Sequence, residues 1–571
     1  MNEAFSSVSP VRRSAWKPWE NPIFRRYCQS RLRLHGLGVS LLITVLIAGF
    51  IVALTHSIGV RSHTRVVDAA RMGIIPLLVF QGLILFILGT AQVAGGMVAE
   101  RDEGVIDYQR LIPMTPLSKV FGYLFGLPVR EYAMFFATLP FTAWSLWRGQ
   151  VAWNVWLPLY AVVVSSALLY HFTGLVTGTV VRNRRWAFLV SIGLVFALYT
   201  VIPQMAGFGL VFFKYLTVTP VFEESLPDIL PKSAGAIVHT VQRLAPTVKF
   251  FNLDFSESVF TAFSQGGLIV TFIIMLCRKW RRTESHLLGK LWATGFFIWI
   301  QIVLLGNALP LIEPGHLFPS RAFTRMVQVL PNWKPQPMEA VAMSGIYGLV
   351  TLLLIFVLAL IITPSAEHQI RGWRRARKQG SSSLPHLADA ATAFWFVLVM
   401  ALAGAAGWFL FTQGLVESRW FPGHVVSLRT LGFFAAVMLT GSIGFQSLLE
   451  AKGGRVVGLT AIFVGAVPVM AGAVLGTVSN RMIPLASWLI GISPVSMPFY
   501  AAGTLLSLSE LPAQTARAIP RAFYFWLLVG ALMALWLAVR LWAARQAMAK
   551  SVLSVSGEDA PIADPGSLPI R

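Results

Sequence analysis

Charge is scarce in this sequence of 571 residues: Asp, Glu, Lys and Arg make up 12% of it, about half the share that a soluble domain carries. Such a chain cannot cover a water-facing surface of this size, which excludes a soluble globular protein. Cysteine is nearly missing. Cys28 and Cys277 are the only two; they fall in expected cytoplasmic flanks and read as free thiols, so a disulfide-stapled secreted fold is excluded. No Cys/His cluster has metal-ligand spacing, and no metal or directly bound cofactor is expected. The G-x-x-x-x-G-K-[ST] pattern that cradles nucleotide phosphates is also missing; GKLWA at Gly289 lacks the glycine loop before it.

What is abundant is apolar sequence. Hydrophobic residues make up 56% of the chain and mean hydropathy is +0.68. Runs long enough to cross a bilayer as helix occur at about 36–57, 73–98, 121–147, 153–180, 186–213, 259–277, 291–311, 341–362, 391–411, 431–449, 457–478 and 522–541. The expected fold class is therefore an all-α polytopic membrane protein of about twelve helices. The run at 121–147 is interrupted by Arg130 and Glu131, and its crossing part is expected to begin near Tyr132.

A net charge of +22 could point to nucleic acid, but the cations sit in short clusters between apolar runs. That placement instead sets orientation, since Lys and Arg beside spans are retained on the cytoplasmic side. With the N-terminus inside, inner segments carry about 29 Lys and Arg and outer ones about 15. RNRRW from Arg182, CRKWRR from Cys277, RGWRRARK from Arg371 and AKGGR from Ala451 all fall inside; Arg61, Arg65 and Arg71 fall outside against the trend. Both termini are expected in the cytoplasm. The first 35 residues are polar and basic, with no cleavable signal, and the first run reads as an uncleaved helix.

The organisation repeats. Residues 1–35 form a cytoplasmic N-terminus, 36–282 a first set of six runs, 283–550 a second set, and 551–571 a polar tail expected to be disordered. Six is even, so the two halves share one orientation, a parallel repeat. In each half a long proline-bearing outer segment, 214–258 or 479–521, precedes the last run. MIPLASWLIGISPVSMPFYAAGTLL in the second is broken by Pro484, Pro494 and Pro498 and reads as a re-entrant segment.

The most informative stretch is ERDEGVIDYQRLIPMTPLSKVFGYLFG from Glu100. Glu100, Arg101, Asp102 and Glu103 open it; Gly104 permits a turn; VIDYQRLI has the spacing of a short amphipathic helix. Pro113 and Pro116 end that helix, with Thr115 or Ser118 available to cap the next. This stretch resembles the loop between the second and third helices of type-2 ATP-binding-cassette (ABC) export permeases. Glu100, Arg101, Gly104, Leu111, Pro113, Pro116, Leu117, Ser118 and Gly122 stand at matching positions, and Val105 replaces the usual Thr. NPIFRRYCQSRLR from Asn21 is similar to that family's Asn-Pro start and basic elbow helix, with Pro22, Arg25, Arg26, Arg31 and Arg33 in its pattern. SPVSMPF from Ser493 resembles the family's re-entrant segment, and LAPTVKFF from Leu244 does so more weakly.

The resemblance implies a permease subunit of an ABC exporter in a bacterial inner membrane, itself not an enzyme. It moves a substrate by using ATP and Mg bound on a separate cytoplasmic ABC ATPase. Glu100, Arg101, Asp102, Gly104, Leu111, Pro113, Pro116, Leu117 and Ser118 would form the ATPase-coupling loop, Asn21 to Arg33 a membrane elbow, and Ser493, Pro494 and Pro498 the re-entrant turn. Partners implied are the ATPase, membrane lipids and a second copy or another permease subunit; no nucleic acid is expected.

Two other classes compete. An ion-coupled carrier places carboxylates at mid-membrane. Arg130 and Glu131 lie near a run end and read as interface anchors, while His171 reads as a helix-packing hydrogen-bond donor. A lipid- or glycan-modifying enzyme needs clustered acid–base groups. Glu223 with Glu224, and Asp254 with Glu257, have no histidine or metal frame and read as solvated loop residues.

Overall fold

The computed structural model describes residues 17–62, 64–181, 183–231, 247–320, 333–381, 384–506 and 513–554. It is helical except for one β-hairpin, and ten helices among the described residues are long and apolar enough to cross a membrane. Such helices satisfy every backbone group internally, which hydrocarbon demands. The chain divides into two compact units, Met1–Ala206 with Val211–Ser285, and Gly207–Leu210 with His286–Arg571.

In the first unit a short helix, α1 (Pro22–Arg31), precedes α2 (Leu34–Arg61). α3 (Val66–Asp102) is 37 residues long and contains a π-helical turn at Leu83–Gly89. Then come the short α4 (Val105–Leu111) and α5 (Pro116–Gly126), followed by α6 (Val129–Arg148) and α7 (Trp153–Val180). The apolar run at 121–147 is thus two helices, because Pro128 has no N–H with which to continue the first. α6 starts at Val129, three residues before the expected Tyr132, and includes Arg130 and Glu131.

α8 (Arg184–Phe196) passes into a π-helical turn at Ala197–Val201 and a 3-10 segment at Ile202–Phe208. The run at 186–213 therefore does not continue as one helix: Gly209 turns with φ 95° and a separate 3-10 turn, Val211–Leu216, follows. Next are α9 (Thr219–Ile229), an antiparallel hairpin of β1 (Thr247–Phe250) and β2 (Leu253–Ser256), and α10 (Glu257–Arg281). The described part of LAPTVKFF is strand β1, not a re-entrant helical turn; Leu244 to Pro246 lie outside the described residues. Val248 of the hairpin is buried, and Phe250 and Phe255 meet Phe260 of α10.

The second unit holds α11 (Lys290–Ile312), α12 (Pro337–Ile362), the basic α13 (Ala366–Lys378) and α14 (Phe394–Val416). α15 (Leu428–Val478) joins the tenth and eleventh apolar runs over 51 residues. It is broken at Gly453, whose φ of 77° and ψ of 173° are not helical, and has a π-helical turn at Ala461–Ala466. α16 (Ile483–Ile490) and α17 (Met497–Leu505) precede the 42-residue α18 (Ala513–Ser554). At a rise of about 1.5 Å per residue, neither α16 nor α17 reaches half of a hydrocarbon core of about 30 Å. Beyond Ser554 the tail lies outside the described residues.

Trp408 and Phe434 stack at 3.6 Å in the second core. Gly348 leaves room there, since a Cβ on it would stand 2.6 Å from the Trp408 ring. Small residues thus let large rings and helices close up without a hydrophobic driving force between helices in lipid.

Candidate functional site

The two segments around Asn21 and Glu100 converge on one end of the first unit. Asn21 caps α1: its Oδ1 accepts from the backbone N–H of Ile23 at 3.0 Å and of Phe24 at 3.4 Å. Its Nδ2 donates to the Ser118 carbonyl at 2.6 Å and to Ser118 Oγ at 3.2 Å, tying the start of α1 to the first turn of α5. Pro22 fits at the first helical position, where no N–H is needed.

α1 then lies along a furrow made by glycine. A Cβ on Gly122 would come within 2.8 Å of Asn21 and Ile23, and one on Gly126 within 2.6 Å of the Tyr27 ring. Gly122 and Gly126 are four residues apart on α5, as Ile23 and Tyr27 are on α1, so one face of each helix meets the other. Ile23 and Tyr27 are buried. Arg26 and Arg31 lie over the Tyr27 ring at 4.9 and 5.5 Å, and burial pushes the Tyr27 hydroxyl far above its ordinary range. Arg25 donates to the Trp19 carbonyl at 2.6 Å. Arg33 is exposed at the extended junction before α2.

Glu100, near the end of α3, pairs with Arg26 at 2.6 Å and accepts from the Tyr123 hydroxyl at 3.3 Å. Burial lowers the Arg26 guanidinium, but hydrogen bonding and attraction to Glu100 outweigh it and the net shift is upward. Arg101 donates to the carbonyls of Val181 at 2.8 Å and of Gly178 and Thr179 at 3.4 Å. It satisfies the open carbonyls at the end of α7 and opposes the negative end of that helix. Both charged residues therefore look inward and brace the end of the bundle. Asp102 and Glu103 are exposed beside them.

Gly104 takes φ 72° with nothing within 4 Å of a would-be Cβ, so its role is the left-handed turn itself. α4 follows, as the spacing of VIDYQRLI predicts. Ile106 and Gln109 are buried, whereas Tyr108 is 69% and Leu111 82% exposed. Asp107 and Arg110 pair at 2.5 Å. Lys119 donates to the Arg110 carbonyl at 3.2 Å; burial, then the nearby Arg110 charge, lowers its pKa. Arg110 and Lys119 both lie against the Trp280 ring, at 5.9 and 5.8 Å, and Trp280 stacks on Tyr123 at 5.4 Å. Of the two available caps, Thr115 serves: its hydroxyl accepts from the Ser118 N–H at 3.2 Å. Pro113 is exposed, Pro116 and Leu117 are half-buried, and Ser118 is buried against Asn21.

The arrangement is a short helix, propped on a Trp–Tyr stack and an ion pair, that leaves Tyr108 and Leu111 exposed. Sequence reading missed Tyr123, Lys119 and Trp280. The glycine pair Gly122/Gly126, matched to Ile23/Tyr27, was the signal that could have placed α1 on α5.

Ser493 and Pro494 lie between α16 and α17, and Pro498 follows in α17. Ser493 Oγ donates to the Gly465 carbonyl at 2.7 Å, and Ser496 Oγ donates to the carbonyls of Ile490 and Ser493 at 2.7 and 2.8 Å. Pro494 is exposed and Pro498 is buried in the first turn of α17. The second unit has its own braced end. Glu450, with a side chain 1% exposed, pairs with Arg545 of α18 and accepts from Gln369 of α13. The α13 surface is basic, with Arg374, Arg375 and Lys378 exposed. α13 holds the place in this unit's order that α4 holds in the first, and it is basic where that loop opens on acidic residues.

No protein-family model, no curated protein and no solved structure matches the chain.

Proposed function

We propose that the chain is the membrane-spanning permease of an ABC exporter and that α4 is the surface through which a separate ATPase subunit drives it. The observation that carries this reading is the exposed Tyr108 and Leu111 on a seven-residue helix braced at the end of a helix bundle. A coupling element needs that combination. It must be stiff, so that displacement passes into the bundle, and its exposed anchors must fit a partner pocket. In this reading the kinked α15 counts as two crossings and α6 as one, which together with the other nine apolar helices gives twelve. The halves then form parallel six-helix repeats, both termini face the cytoplasm of a bacterial cell, and ATP with Mg stays on the partner. The basic end of the second unit implies that the two halves meet the ATPase unequally.

The experiment is co-expression with the ATPase encoded nearest the gene, followed by site-specific crosslinking from Tyr108→Cys in a Cys28→Ser, Cys277→Ser background. A crosslink to the ATPase is expected. Tyr108→Ala with Leu111→Asp should abolish both it and transport-linked ATP hydrolysis. Failure of any ATPase to co-purify, with Tyr108→Cys reacting only with water-soluble thiol reagents, removes the reading. Charge reversal at Glu100 and Arg101 is a poor test, because both residues hold the bundle end itself.

A further inference from the structure

A cavity of about 260 Å³ lies in the first unit among α2, α3, α6 and α8. Its polar lining is Ser40, Gln92, Arg130 and Glu131; its apolar lining includes Ile43, Leu88, Met134 and Phe188. The Glu131 side chain is only 2% exposed. One of its oxygens, Oε1, accepts from Arg130 at 3.0 and 3.3 Å. The other, Oε2, is buried with no hydrogen-bond partner. An unpaired carboxylate oxygen in such a place carries a desolvation penalty that a donor would relieve. The Arg130 side chain is 43% exposed, so part of it is open to a ligand. Arg31 of α1 stands against the Gln92 amide and close enough to act electrostatically on Glu131 and Arg130.

Depth fixes what can reach it. Ser40 is six residues into α2, about 9 Å along the helix, and Gln92 is eight residues before Glu100, about 12 Å. α1, whose Arg26 binds Glu100, lies at that end, and a basic amphipathic helix settles at the headgroup boundary. The cavity therefore opens about 9–12 Å along the helices from the end that α1 marks, within reach of a lipid headgroup drawn in from that boundary. Ile43, Leu88 and Phe188 continue onto surfaces of α2, α3 and α8 that are exposed and apolar.

We propose that this cavity is a binding site for a phospholipid whose headgroup joins a phosphate to a primary ammonium, drawn from the leaflet on the α1 side. The ammonium donates to Glu131 Oε2, the phosphate takes the exposed side of Arg130, and the acyl chains leave between α2 and α8. A purely anionic headgroup would satisfy Arg130 but leave Oε2 unpaired beside a second negative charge. A quaternary ammonium carries the charge without an N–H to give. The proposal stands whether or not the chain is an ABC permease.

The test uses the full chain in nanodiscs, with retained lipid counted by native mass spectrometry. Discs are prepared from phosphatidylcholine alone or with equal mole fractions of phosphatidylethanolamine, its mono- and dimethylated forms, or phosphatidylglycerol. Phosphatidylethanolamine should be retained at least about tenfold over phosphatidylcholine, as expected for one charge-assisted hydrogen bond. The preference should fall stepwise with methylation, vanish in Glu131→Gln, and persist in Phe136→Ala, an exposed change on the same helix. Equal retention of phosphatidylcholine or phosphatidylglycerol, or a preference unaltered in Glu131→Gln, overturns the proposal. Displacement by soluble phosphoethanolamine at the same concentration as the lipid overturns the lipid assignment. Should Glu131→Gln fail to fold, the methylation series on the wild-type chain decides alone.

Discussion

His171 of α7 gives its Nε2 hydrogen to the main-chain carbonyl of Leu85, at 2.9 Å, inside the π-helical turn of α3. A carbonyl can only accept, so Nε2 carries the proton, and Nδ1 then accepts from the Tyr132 hydroxyl at 2.8 Å. Both ring nitrogens are used within one cross-helix chain, as the helix-packing reading of His171 expects. The wide turn exposes a carbonyl that regular helix would have spent on its own ladder. The second unit repeats the device with Ser493 and Gly465.

Removing the imidazole should therefore strand two buried groups. His171→Leu is expected to destabilise the chain by about 2–6 kcal/mol, roughly 1–3 for each unpaired partner. Gly89→Ala should act on the same contact, because its Cβ would stand 2.5 Å from His171 Nε2. Unfolding midpoints in mild detergent measure both, and a His171→Leu midpoint equal to wild type would refute the pairing.

The furrow on α5 sets a second expectation. Gly126→Ala should lift Tyr27 and loosen α1, costing about 1–3 kcal/mol as an overpacked contact. Limited trypsin digestion reads this directly, since Arg25, Arg26 and Arg31 would become cleavable. Unchanged digestion would mean that α1 is not held by this face.

Exposure separates two kinds of residue around α4. Glu100→Gln weakens the Arg26 pair, and Arg101→Ala bares the end of α7, so both should lower the unfolding midpoint. Tyr108→Ala should leave it within about 0.5 kcal/mol of wild type, as surface changes do. If Tyr108→Ala proves as destabilising as Arg101→Ala, Tyr108 is packing and not a presented anchor.

Between α10 and α11, His286 Nδ1 is 2.9 Å from the Ile361 carbonyl oxygen, and its main-chain N–H points to Asp389 Oδ2 at 3.4 Å. The His368 ring is 5.5 Å away and Lys290 is a further nearby cation. Burial holds the imidazole below its ordinary value despite the opposing pull of Asp389. The unfolded chain then takes up a proton near its ordinary pKa of about 6.5 that the folded chain still refuses. His286 thus contributes stability above that pH that is lost progressively as pH falls through the window below it. Midpoints measured from pH 8 to 5 should decline less steeply for His286→Gln, and parallel curves would exclude the effect.

The positions of the membrane-length helices were legible because apolar length alone specifies them. The short helix from Val105 was legible through its period and through Gly104. Interruptions were not. Pro128 divides one apolar run, yet Pro140, Pro158, Pro310 and Pro520 sit inside helices, and composition does not separate the cases. Arg71 counted in sequence as one of three cations that fall outside against the trend. It is in fact buried, donating to the carbonyls of Gly149 at 2.6 Å and of Gln150 and Leu230 at 3.4 Å. A charge spent on backbone carbonyls carries little orientation signal, and only the fold reveals that it has been spent. The inward turn of Glu100 and Arg101 was hidden for the same reason, since Arg26 and the Val181 carbonyl lie 74 and 80 positions away.

A Cβ on Gly453 would meet nothing within 4 Å, and the position still calls for glycine. Its φ of 77° with ψ of 173° belongs to a region that side-chain-bearing residues essentially do not enter. A saturation library at this codon should return glycine alone among functional clones, while codons for its exposed neighbours Lys452 and Gly454 drift freely. Intolerance there would report chain direction, not contact, and would mark where one long helix becomes two.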